Sequence, residues 1–454
     1  MEKKLAEESV LFISVLKWFF LSTLVGITVG LSTVGFLKAL YYASDSIGRN
    51  PYYYLLLPLA LPLSALLIKY IAPEAEGMGT EKVIEAVHKN SGKIKPAVVP
   101  VKIAATILTI ATGGSAGKIG PCAQIGGGLT SFLADLFRFS DSDRKKLVIC
   151  GISAGFSAVF GTPIAGAIFG VEVLFVGSLL YDVLFPSFVA GMISYQVASA
   201  LGITYFHHPV DFTPVFSESF FLEVLLAGVL FGLCSFLLIE ILDYCRNISR
   251  RSQGGILRKG FFGGLVLVGL TWVFSDRYLG LGMETIQASL EGREVAWYAF
   301  LLKMVFTGIT LNFGGTGGII VPILFTGASS GALLGKILGA HTGTFAALGF
   351  VSVLAGATNT PIAASIMALE LFGPQIGAYA APACVISFLM TGHRSVHSTQ
   401  ILAIQKSASL EVQVGKEMHT IKAQFRPREK SLIGLILSLW KNKKRNGQEG
   451  GSKK

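Results

Sequence analysis

Two glycine-rich turns, each followed by a proline, are the segments of this sequence best suited to hold a ligand. They are Gly113–Gly117, followed by Pro121, and Gly314–Gly318, followed by Pro322. Glycine lets backbone approach a ligand closely, and proline in the first turn of a helix sacrifices no hydrogen bond. Because a helix N-terminus exposes unpaired N–H groups and partial positive charge, it favours anions. The pattern therefore predicts helix N-termini that bind a small anion.

Two further motifs recur in the same order along the chain. Gly77–Glu81 and Gly280–Glu284 both read GxGxE, at an offset of 203 residues. Thr162–Ala165 and Thr360–Ala363 both read TPIA, at an offset of 198 residues, and a glutamate follows each one: Glu172 and Glu370. The glycine-rich turns lie between these motifs at an offset of 201 residues. Three landmarks at nearly one offset predict a duplicated fold.

The elements that must position these motifs are apolar segments between Val10 and Met390. Several of them are shorter than the ~20 residues needed to cross a bilayer, and others are broken by glycine or proline. Interrupted helices are tolerated at membrane depth where they are buried in protein or line a watery cavity. The sequence thus predicts an all-α polytopic membrane protein with two inverted-topology repeats of broken, tilted helices.

Composition leads to the same class. Of 454 residues, 52% are hydrophobic and 14% are charged, which is too little polar material for a soluble protein of this size. The net charge of +11 comes largely from loops and tails, as in membrane topology rather than nucleic-acid binding. The five cysteines have no metal-ligand spacing and are expected to be core thiols. We expect no bound metal.

Basic clusters set the predicted orientation, because cytoplasmic loops carry the excess of Lys and Arg. Both termini are then cytoplasmic, in an integral membrane protein of a prokaryotic plasma membrane. The predicted segments are a cytoplasmic N-terminus (1–9), a first membrane repeat (10–205), an external loop (206–216), a second membrane repeat (217–391) with a basic cytoplasmic loop (244–259), the end of the last membrane helix (392–405) and a basic cytoplasmic tail (406–454).

These motifs resemble those of the CLC chloride channels and chloride/proton antiporters. Gly77–Glu81 looks like the GSGIP segment of that family, Gly117–Pro121 like its GKEGP segment, and Gly318–Pro322 like its GIFAP segment. Asn359–Pro361 resembles its late helix, and Gly392–His397 resembles its last membrane helix. The resemblance implies a homodimer in the lipid bilayer, with a separate pore for chloride or another halide in each subunit. The chain after Ser398 is too short for the family's paired cytoplasmic regulatory domains.

Four positions depart from the family pattern. The resemblance places Ile119 at the gating glutamate and Val173 at the internal proton-transfer glutamate of the antiporters. Neither side chain carries a proton, so the usual proton coupling is expected to be lost. Met78 stands at the anion-coordinating serine, as in the fluoride-exporting branch, although that branch keeps the gating glutamate. His397 stands at the anion-binding tyrosine.

The predicted anion site and pore comprise Gly77, Met78, Gly79, Gly117, Lys118, Ile119, Gly120, Pro121, Gly318, Ile319, Ile320, Val321 and His397. Lys118 is expected at the pore mouth, and Met78 as a pore wall, since a thioether sulfur cannot donate a hydrogen bond. His397 is either a satisfied structural histidine or an N–H donor to the anion that titrates near its ordinary pKa of about 6.5. Glu172 and Glu370 are expected to be structural acceptors of backbone N–H groups.

The leading expectation is passive, channel-like halide transport without the usual proton coupling. A non-transporting sensor or scaffold of the same fold is one alternative, and a proton-linked halide or fluoride carrier using His397 is another. An enzyme is not expected, because no nucleophile–base pair or metal cluster is evident. No GxxxxGK[ST] segment is present, so neither a nucleotide nor any other cofactor is expected.

Overall fold

The computed structural model describes residues 2–205, 218–252 and 254–426, and helices dominate it. The predicted external loop and the tail beyond residue 426 lie outside this part of the chain. Six of its helices are long and apolar enough to cross a membrane: Ala6–Gly48, Tyr53–Ile71, Tyr181–Ala200, Glu218–Arg251, Ile256–Phe274 and Ile320–Leu338. The other apolar helices are shorter, as the interrupted sequence predicts.

Each half contributes eight α-helices within the described residues, in matching order. The first half has α1 (Glu2–Gly48), α2 (Leu57–Ile71), α3 (Thr80–Lys89), α4 (Val98–Ala111), α5 (Ile119–Leu136), α6 (Asp141–Phe160), α7 (Pro163–Glu172) and α8 (Tyr181–Ala200). The second has α9 (Glu218–Arg251), α10 (Ile256–Phe274), α11 (Met283–Leu290), α12 (Ala299–Asn312), α13 (Ile320–Leu338), α14 (Thr342–Thr358), α15 (Pro361–Phe372) and α16 (Pro374–Met390). The predicted duplication is therefore visible helix by helix.

Two short strand pairs involve the chain after α16. Strand β1 (Phe175–Val176), which follows α7, pairs in parallel with β2 (Ile401–Leu402). Strands β3 (Leu410–Glu411) and β4 (Gln424–Phe425) form an antiparallel pair. The C-terminal segment is thereby attached to the end of α7 in the first repeat.

The TPIA motifs mark a helix break in both repeats. Gly161 (φ 74°) follows the last residue of α6, and Asn359 (φ 57°) follows the last residue of α14, both in the left-handed conformation. Proline then opens α7 and α15 as their first residue, where its missing N–H removes no bond. Each motif therefore starts a new short helix and leaves the N–H groups of that helix in need of acceptors.

The secondary structure differs from the predicted segments at three places. Helix α1 already begins at Glu2, so the predicted N-terminal segment 1–9 is helical from its second residue onward. Helix α9 continues to Arg251 and α10 begins at Ile256, so most of the predicted basic loop at 244–259 is helical. Residues 392–405 are not helical, because α16 ends at Met390 and the chain continues through turns into β2. The length of the apolar run does not predict where α1 begins, because charged residues also form good helices.

The helix bundle has a continuous apolar core that includes both repeats. All five cysteines are buried and free, as predicted. The repeat-related pairs α5–α6 and α13–α14 pack closely; a β-carbon on Gly327 of α13 would overlap the carbonyl of Gly349 in α14. Such backbone contact holds the first turns of α5 and α13 in place, and these turns carry the predicted ligand site.

Candidate anion-binding site

The two glycine-rich turns meet backbone to backbone. The N–H of Gly117 donates to the carbonyl of Gly318 at 2.6 Å, and the N–H of Gly318 donates to the carbonyl of Gly117 at 2.6 Å. This isolated bridge is antiparallel, so the two repeats approach it in opposite directions. The geometry is that of the predicted inverted repeats.

Two helix N-termini follow directly from this bridge. Helix α5 begins at Ile119 and α13 begins at Ile320, with Pro121 and Pro322 each third in its helix. The first N–H groups of a helix have no partner within it, and they carry its positive dipole end. The bridge therefore brings two anion-attracting helix ends together at the centre of the molecule.

A third N-terminus joins them through Met78 and Gly79. Gly79 (φ 82°) precedes α3, and a β-carbon placed on it would overlap the carbonyl of Gly120. A β-carbon on Gly120 would in turn overlap the carbonyl of Met78, and one on Gly318 would lie 2.6 Å from the Gly120 nitrogen. Only glycine permits this three-way contact of main chains, which explains the glycines of all three motifs.

The side chains around this junction are apolar. Met78, Ile119, Ile319, Ile320 and Val321 are all buried, and the Ile119 side chain has no exposed surface. The position expected for a gating carboxylate thus holds a fully enclosed hydrocarbon. Polar contact with a ligand must come from the main-chain N–H groups and from neighbouring residues.

His397 lies beside the start of α3. Ser398 Oγ donates to the Glu81 carboxylate, and Thr399 Oγ1 donates to the Glu81 carbonyl at 3.0 Å. His397 itself is fully buried, and neither ring nitrogen has a hydrogen-bond partner among the described residues. A satisfied structural histidine would have such a partner, so this arrangement favours the alternative of a donor to the anion. A buried unpartnered imidazole has a donor available for a ligand.

The non-helical segment that holds His397 follows α16. The ring is fully buried, and burial disfavours the charged form of an imidazole, which argues against titration near an ordinary pKa of about 6.5. A neutral ring still carries one N–H that can donate to an anion.

Lys118 points away from the junction toward α1. Its ammonium donates to the hydroxyl of Tyr41 and lies 5.0 Å from the centre of the Tyr41 ring. The side chain is partly exposed, so its charge lies toward a surface of the protein rather than at the centre. The pore-mouth position of Lys118 stays a prediction.

The two intramembrane glutamates cap helices of the opposite repeat. Glu172 Oε1 and Oε2 accept the N–H groups of Ile362 and Ala363 at 3.0 and 2.8 Å. Glu370 accepts the N–H groups of Ile164 and Ala165 at the same two distances. These are the contacts that the predicted structural roles require, and their reciprocity was not foreseen. Val173, which follows Glu172, is fully buried and accepts a hydrogen bond from Gln400 Nε2 at 2.8 Å.

Two buried lysines near the site were missed by the sequence reasoning. Lys102 Nζ donates to the carbonyls of Ala75 and Gly77 at 3.1 and 2.7 Å and to Thr316 Oγ1 at 2.8 Å. Its repeat-related counterpart is Lys303, which is also fully buried. The signal was present, since both lysines interrupt apolar helices at the same offset of 201 residues as the glycine-rich turns.

Lys303 holds the second GxGxE loop as Lys102 holds the first. Its Nζ donates to the carbonyls of Tyr278 and Gly280 at 3.0 and 2.9 Å and lies 5.1 Å from the centre of the Phe325 ring. Within the described residues neither lysine forms an ion pair with a carboxylate. Lys102 therefore lies beside the junction, and Lys303 lies at the equivalent place on the second GxGxE loop.

A polar cavity opens beside His397. Its volume is about 620 Å³, and its lining includes Arg246, Arg250, Arg394, Ser395 and Ser398. The C-terminal segment after β2 supplies further lining residues: Leu410, Met418, His419, Ile421 and Ala423. The cavity thus reaches Ser395 and Ser398, close to His397 along the chain. Among the described residues no group of His, Cys, Asp and Glu could hold a metal ion.

A family model and curated relatives match most of this chain. A family model described as voltage gated chloride channel matches residues 59–392. A chloride/fluoride channel protein of Pseudomonas syringae pv. tomato is 35% identical over 85% of this chain and 86% of its own length. An H(+)/Cl(-) exchange transporter of Klebsiella pneumoniae is 28% identical over 78% of this chain and 80% of its own length.

Two solved structures have the same arrangement of helices. The crystal structure of a CLC-type fluoride/proton antiporter superposes with a TM-score of 0.82 and 27% identity, covering 86% of this chain and 99% of that one. A slow cyanobacterial Cl-/H+ antiporter superposes with a TM-score of 0.71 and 18% identity, covering 82% and 94%. The second similarity concerns the fold alone.

Proposed function

Because this chain belongs to the voltage-gated chloride channel family, also called the CLC family, we propose that it conducts a small halide passively across a membrane. Conduction uses the junction of α3, α5 and α13 as its central site and needs no proton exchange. The chain acts as a transporter rather than an enzyme, and it uses neither a cofactor nor a nucleotide. Its ligand is chloride or another halide.

The observation that carries this proposal is Ile119 at the N-terminus of α5. A carboxylate at this position could compete with an anion for the helix end and carry a proton. Isoleucine has no charge and no proton, and here it is completely enclosed. The central site therefore lacks a titratable gate, so halide movement has no obvious coupling partner.

The remaining carboxylates nearby also favour an uncoupled pathway. Glu172 and Glu370 already accept two backbone N–H groups each, and a proton carrier would have to abandon these bonds. Val173 provides no proton site at the inner end of α7. Proton transfer by the route that the family resemblance implies has no residues to use.

Electrostatics make the site adequate for a halide without a direct cation ligand. Half a unit charge at ~4 Å attracts a monovalent anion by roughly 2 kcal/mol at an effective dielectric of about 20. Three such helix ends contribute roughly 6 kcal/mol, which is comparable with the several kcal/mol that desolvation of an ion costs. Lys102 and Lys303 add attraction from a distance. Because no cation contacts the ion directly, the ion can leave again.

The relatives leave chloride and fluoride as the leading ions. One is named a chloride/fluoride channel protein, and one solved structure is of a fluoride/proton antiporter. Met78 offers no donor to a strongly hydrated ion, whereas the His397 N–H can donate to fluoride or chloride. Both ions belong in the first experiment.

We propose the assembly and location from the resemblance and from charge. The protein forms homodimers with one pathway in each subunit. It lies in a prokaryotic plasma membrane with both termini in the cytoplasm, since its basic residues concentrate there. Chemical crosslinking in native membranes and labelling of single cysteines from either side test these statements.

The deciding experiment measures ion release from proteoliposomes loaded in turn with chloride and fluoride. External pH is recorded with and without valinomycin, which allows potassium to balance the charge. We expect halide release that depends on valinomycin and is unaccompanied by proton movement. Proton-coupled release would contradict the proposal and favour a carrier with a new proton route. Failure to release either ion, in protein that is monodisperse and folded, would favour a sensor or scaffold.

A further inference from the structure

A second cavity, which shares Arg250 with the one beside His397, lies where α2 meets the turn between α9 and α10. We call it the basic cavity. Its volume is about 430 Å³, and its charged lining residues are Lys69, Glu76, Arg250 and Lys259. It is concave and enclosed on several sides by the ends of these helices and by Gly314 and Gly315. This shape makes it a potential binding site rather than a flat basic surface.

Specific hydrogen bonds fix the walls of the basic cavity. Lys259 Nζ donates to the carbonyl of Ser249 at 2.6 Å, which closes the turn between α9 and α10. Ser249 Oγ donates to the carbonyl of Asn312 at 2.6 Å, which attaches α9 to the end of α12. The positions of Arg250 and Lys259 in the chain are therefore held relative to the rest of the bundle before any ligand binds.

The charges of the basic cavity are unbalanced. Lys69, Arg250 and Lys259 contribute three positive charges, and Glu76 contributes one negative charge. No ion pair joins any of these four residues to another within the described parts of the chain. A ligand with one or two negative charges would neutralise the cavity. Phosphate oxygens suit it because arginine binds them in a bidentate manner.

The surface next to the basic cavity is apolar. On α10, Leu257 is 52% exposed, Phe262 is 52% exposed and Phe261 is 43% exposed, and on α2 Tyr70 is 75% exposed. Both helices are long and apolar enough to cross a membrane, so these exposed side chains suit contact with lipid chains. A molecule bound here can place a phosphate in the cavity and a hydrocarbon chain against α10.

We propose that the basic cavity binds the headgroup of an anionic phospholipid. Its phosphate contacts Arg250, Lys69 and Lys259, and its acyl chains lie along α10. Basic pockets between membrane helices are known to suit such headgroups. The site also touches Gly77, which precedes Met78, so the bound lipid abuts the loop that forms part of the central junction.

The test measures lipid binding directly and is independent of transport. Purified protein is placed in nanodiscs of phosphatidylcholine that contain a small fraction of phosphatidylglycerol, and retained lipid is counted by native mass spectrometry. We expect phosphatidylglycerol to be retained preferentially. Arg250→Gln and Lys69→Gln should each weaken its retention about fivefold, since one basic residue near a membrane surface contributes roughly a factor of this size. Arg250→Lys should retain most of the binding.

Arg258→Gln is the matched control. Arg258 lies on α10 beside Lys259 but lines no part of the basic cavity, and its guanidinium lies 5.7 Å from the centre of the Phe262 ring. This variant should bind phosphatidylglycerol as the unaltered protein does. The proposal fails if Arg258→Gln weakens binding as much as Arg250→Gln, or if phosphatidylcholine is retained equally. Displacement of the lipid by millimolar glycerol phosphate would instead assign the cavity to a soluble phosphate.

Discussion

Glu172 of the first repeat and Ala363 of the second are joined by a hydrogen bond of 2.8 Å from the Ala363 N–H to the Glu172 carboxylate. The repeat-related bond, from the N–H of Ala165 to Glu370, has the same length. Each half of the chain therefore provides the N-terminal cap of a short helix in the other half. Two carboxylates that sequence alone marks as functional candidates in a membrane are, in this fold, the attachment between the repeats.

We predict that Glu370→Gln lowers stability without changing proton movement. An amide has one acceptor oxygen, so one of the N–H groups of Ile164 and Ala165 loses its partner, and the negative charge at the helix end is lost. The cost should be about 1–3 kcal/mol in the free energy of unfolding. Thermal unfolding in detergent measures it, with the exposed Glu294→Gln as the control. An unchanged unfolding temperature would contradict the capping role.

Introducing a carboxylate at the gate position should create a gate. In Ile119→Glu the anionic side chain competes with the halide for the α5 N-terminus, so halide flux at pH 7 should fall at least tenfold. Protonation neutralises the glutamate below its pKa, which is about 4.3 when unperturbed and higher when buried. Flux should therefore recover as the pH falls toward 4.

Ile119→Gln separates charge from shape in this experiment. It has nearly the size of glutamate but no titration, so its flux should show no recovery at low pH. Flux through proteoliposomes between pH 4 and 8 measures both variants. Equal pH profiles for the two variants would mean that Ile119 does not occupy the ion pathway.

Transport by the unaltered protein should show no pH step from His397 between pH 5 and 8. The ring is fully buried without a partner among the described residues, and burial disfavours its charged form. His397→Phe should leave the pH profile unchanged, while halide affinity falls several-fold because the ring N–H is lost. Isothermal titration with chloride and fluoride measures the affinity. A midpoint near pH 6.5 that disappears in His397→Phe would overturn this assignment.

Lys303→Met should weaken halide binding, whereas Lys303→Arg should weaken it much less. At an effective dielectric of about 20, a unit charge within roughly 15 Å contributes about 1 kcal/mol, or about a fivefold change in affinity. Methionine also leaves the carbonyls of Tyr278 and Gly280 without their donor. Halide titration measures the effect, and the exposed Lys336→Met serves as the control. Equal affinity of the methionine and arginine variants would show that the charge itself is not involved.

Most of the structural features that the sequence predicted came from its internal repeat. Nearly equal offsets, 201 and 198 residues, paired Gly117 with Gly318 and Glu172 with Glu370, and the structure brings each pair into related contacts. The helix breaks at the TPIA motifs were not predicted, although they obey local rules for proline and for left-handed residues. These features depend on residues that are close in sequence or related by the duplication, so a single sequence can reveal them.

Contacts between distant, unrelated segments could not be predicted in the same way. The hydrogen bond from Ser398 to Glu81 joins residues more than three hundred positions apart, and no periodicity in the sequence predicts it. The unpartnered state of His397 depends on every group packed around it, so only the folded structure reveals it. Lys102 was missed for a different reason. A lysine within an apolar segment suggests the end of a helix, and only the structure reveals its carbonyl acceptors.

The reciprocal bridge between Gly117 and Gly318 has a consequence for the origin of this fold. Each glycine offers both its donor and its acceptor to the other, so one sequence facing a copy of itself in the opposite orientation would form the same pair of bonds. An ancestral half-length chain that inserted into the membrane in both directions could have built this centre as a symmetric pair. Fusion of two gene copies would then have freed the halves to diverge, giving Ile119 and Ile320 separate histories at equivalent places.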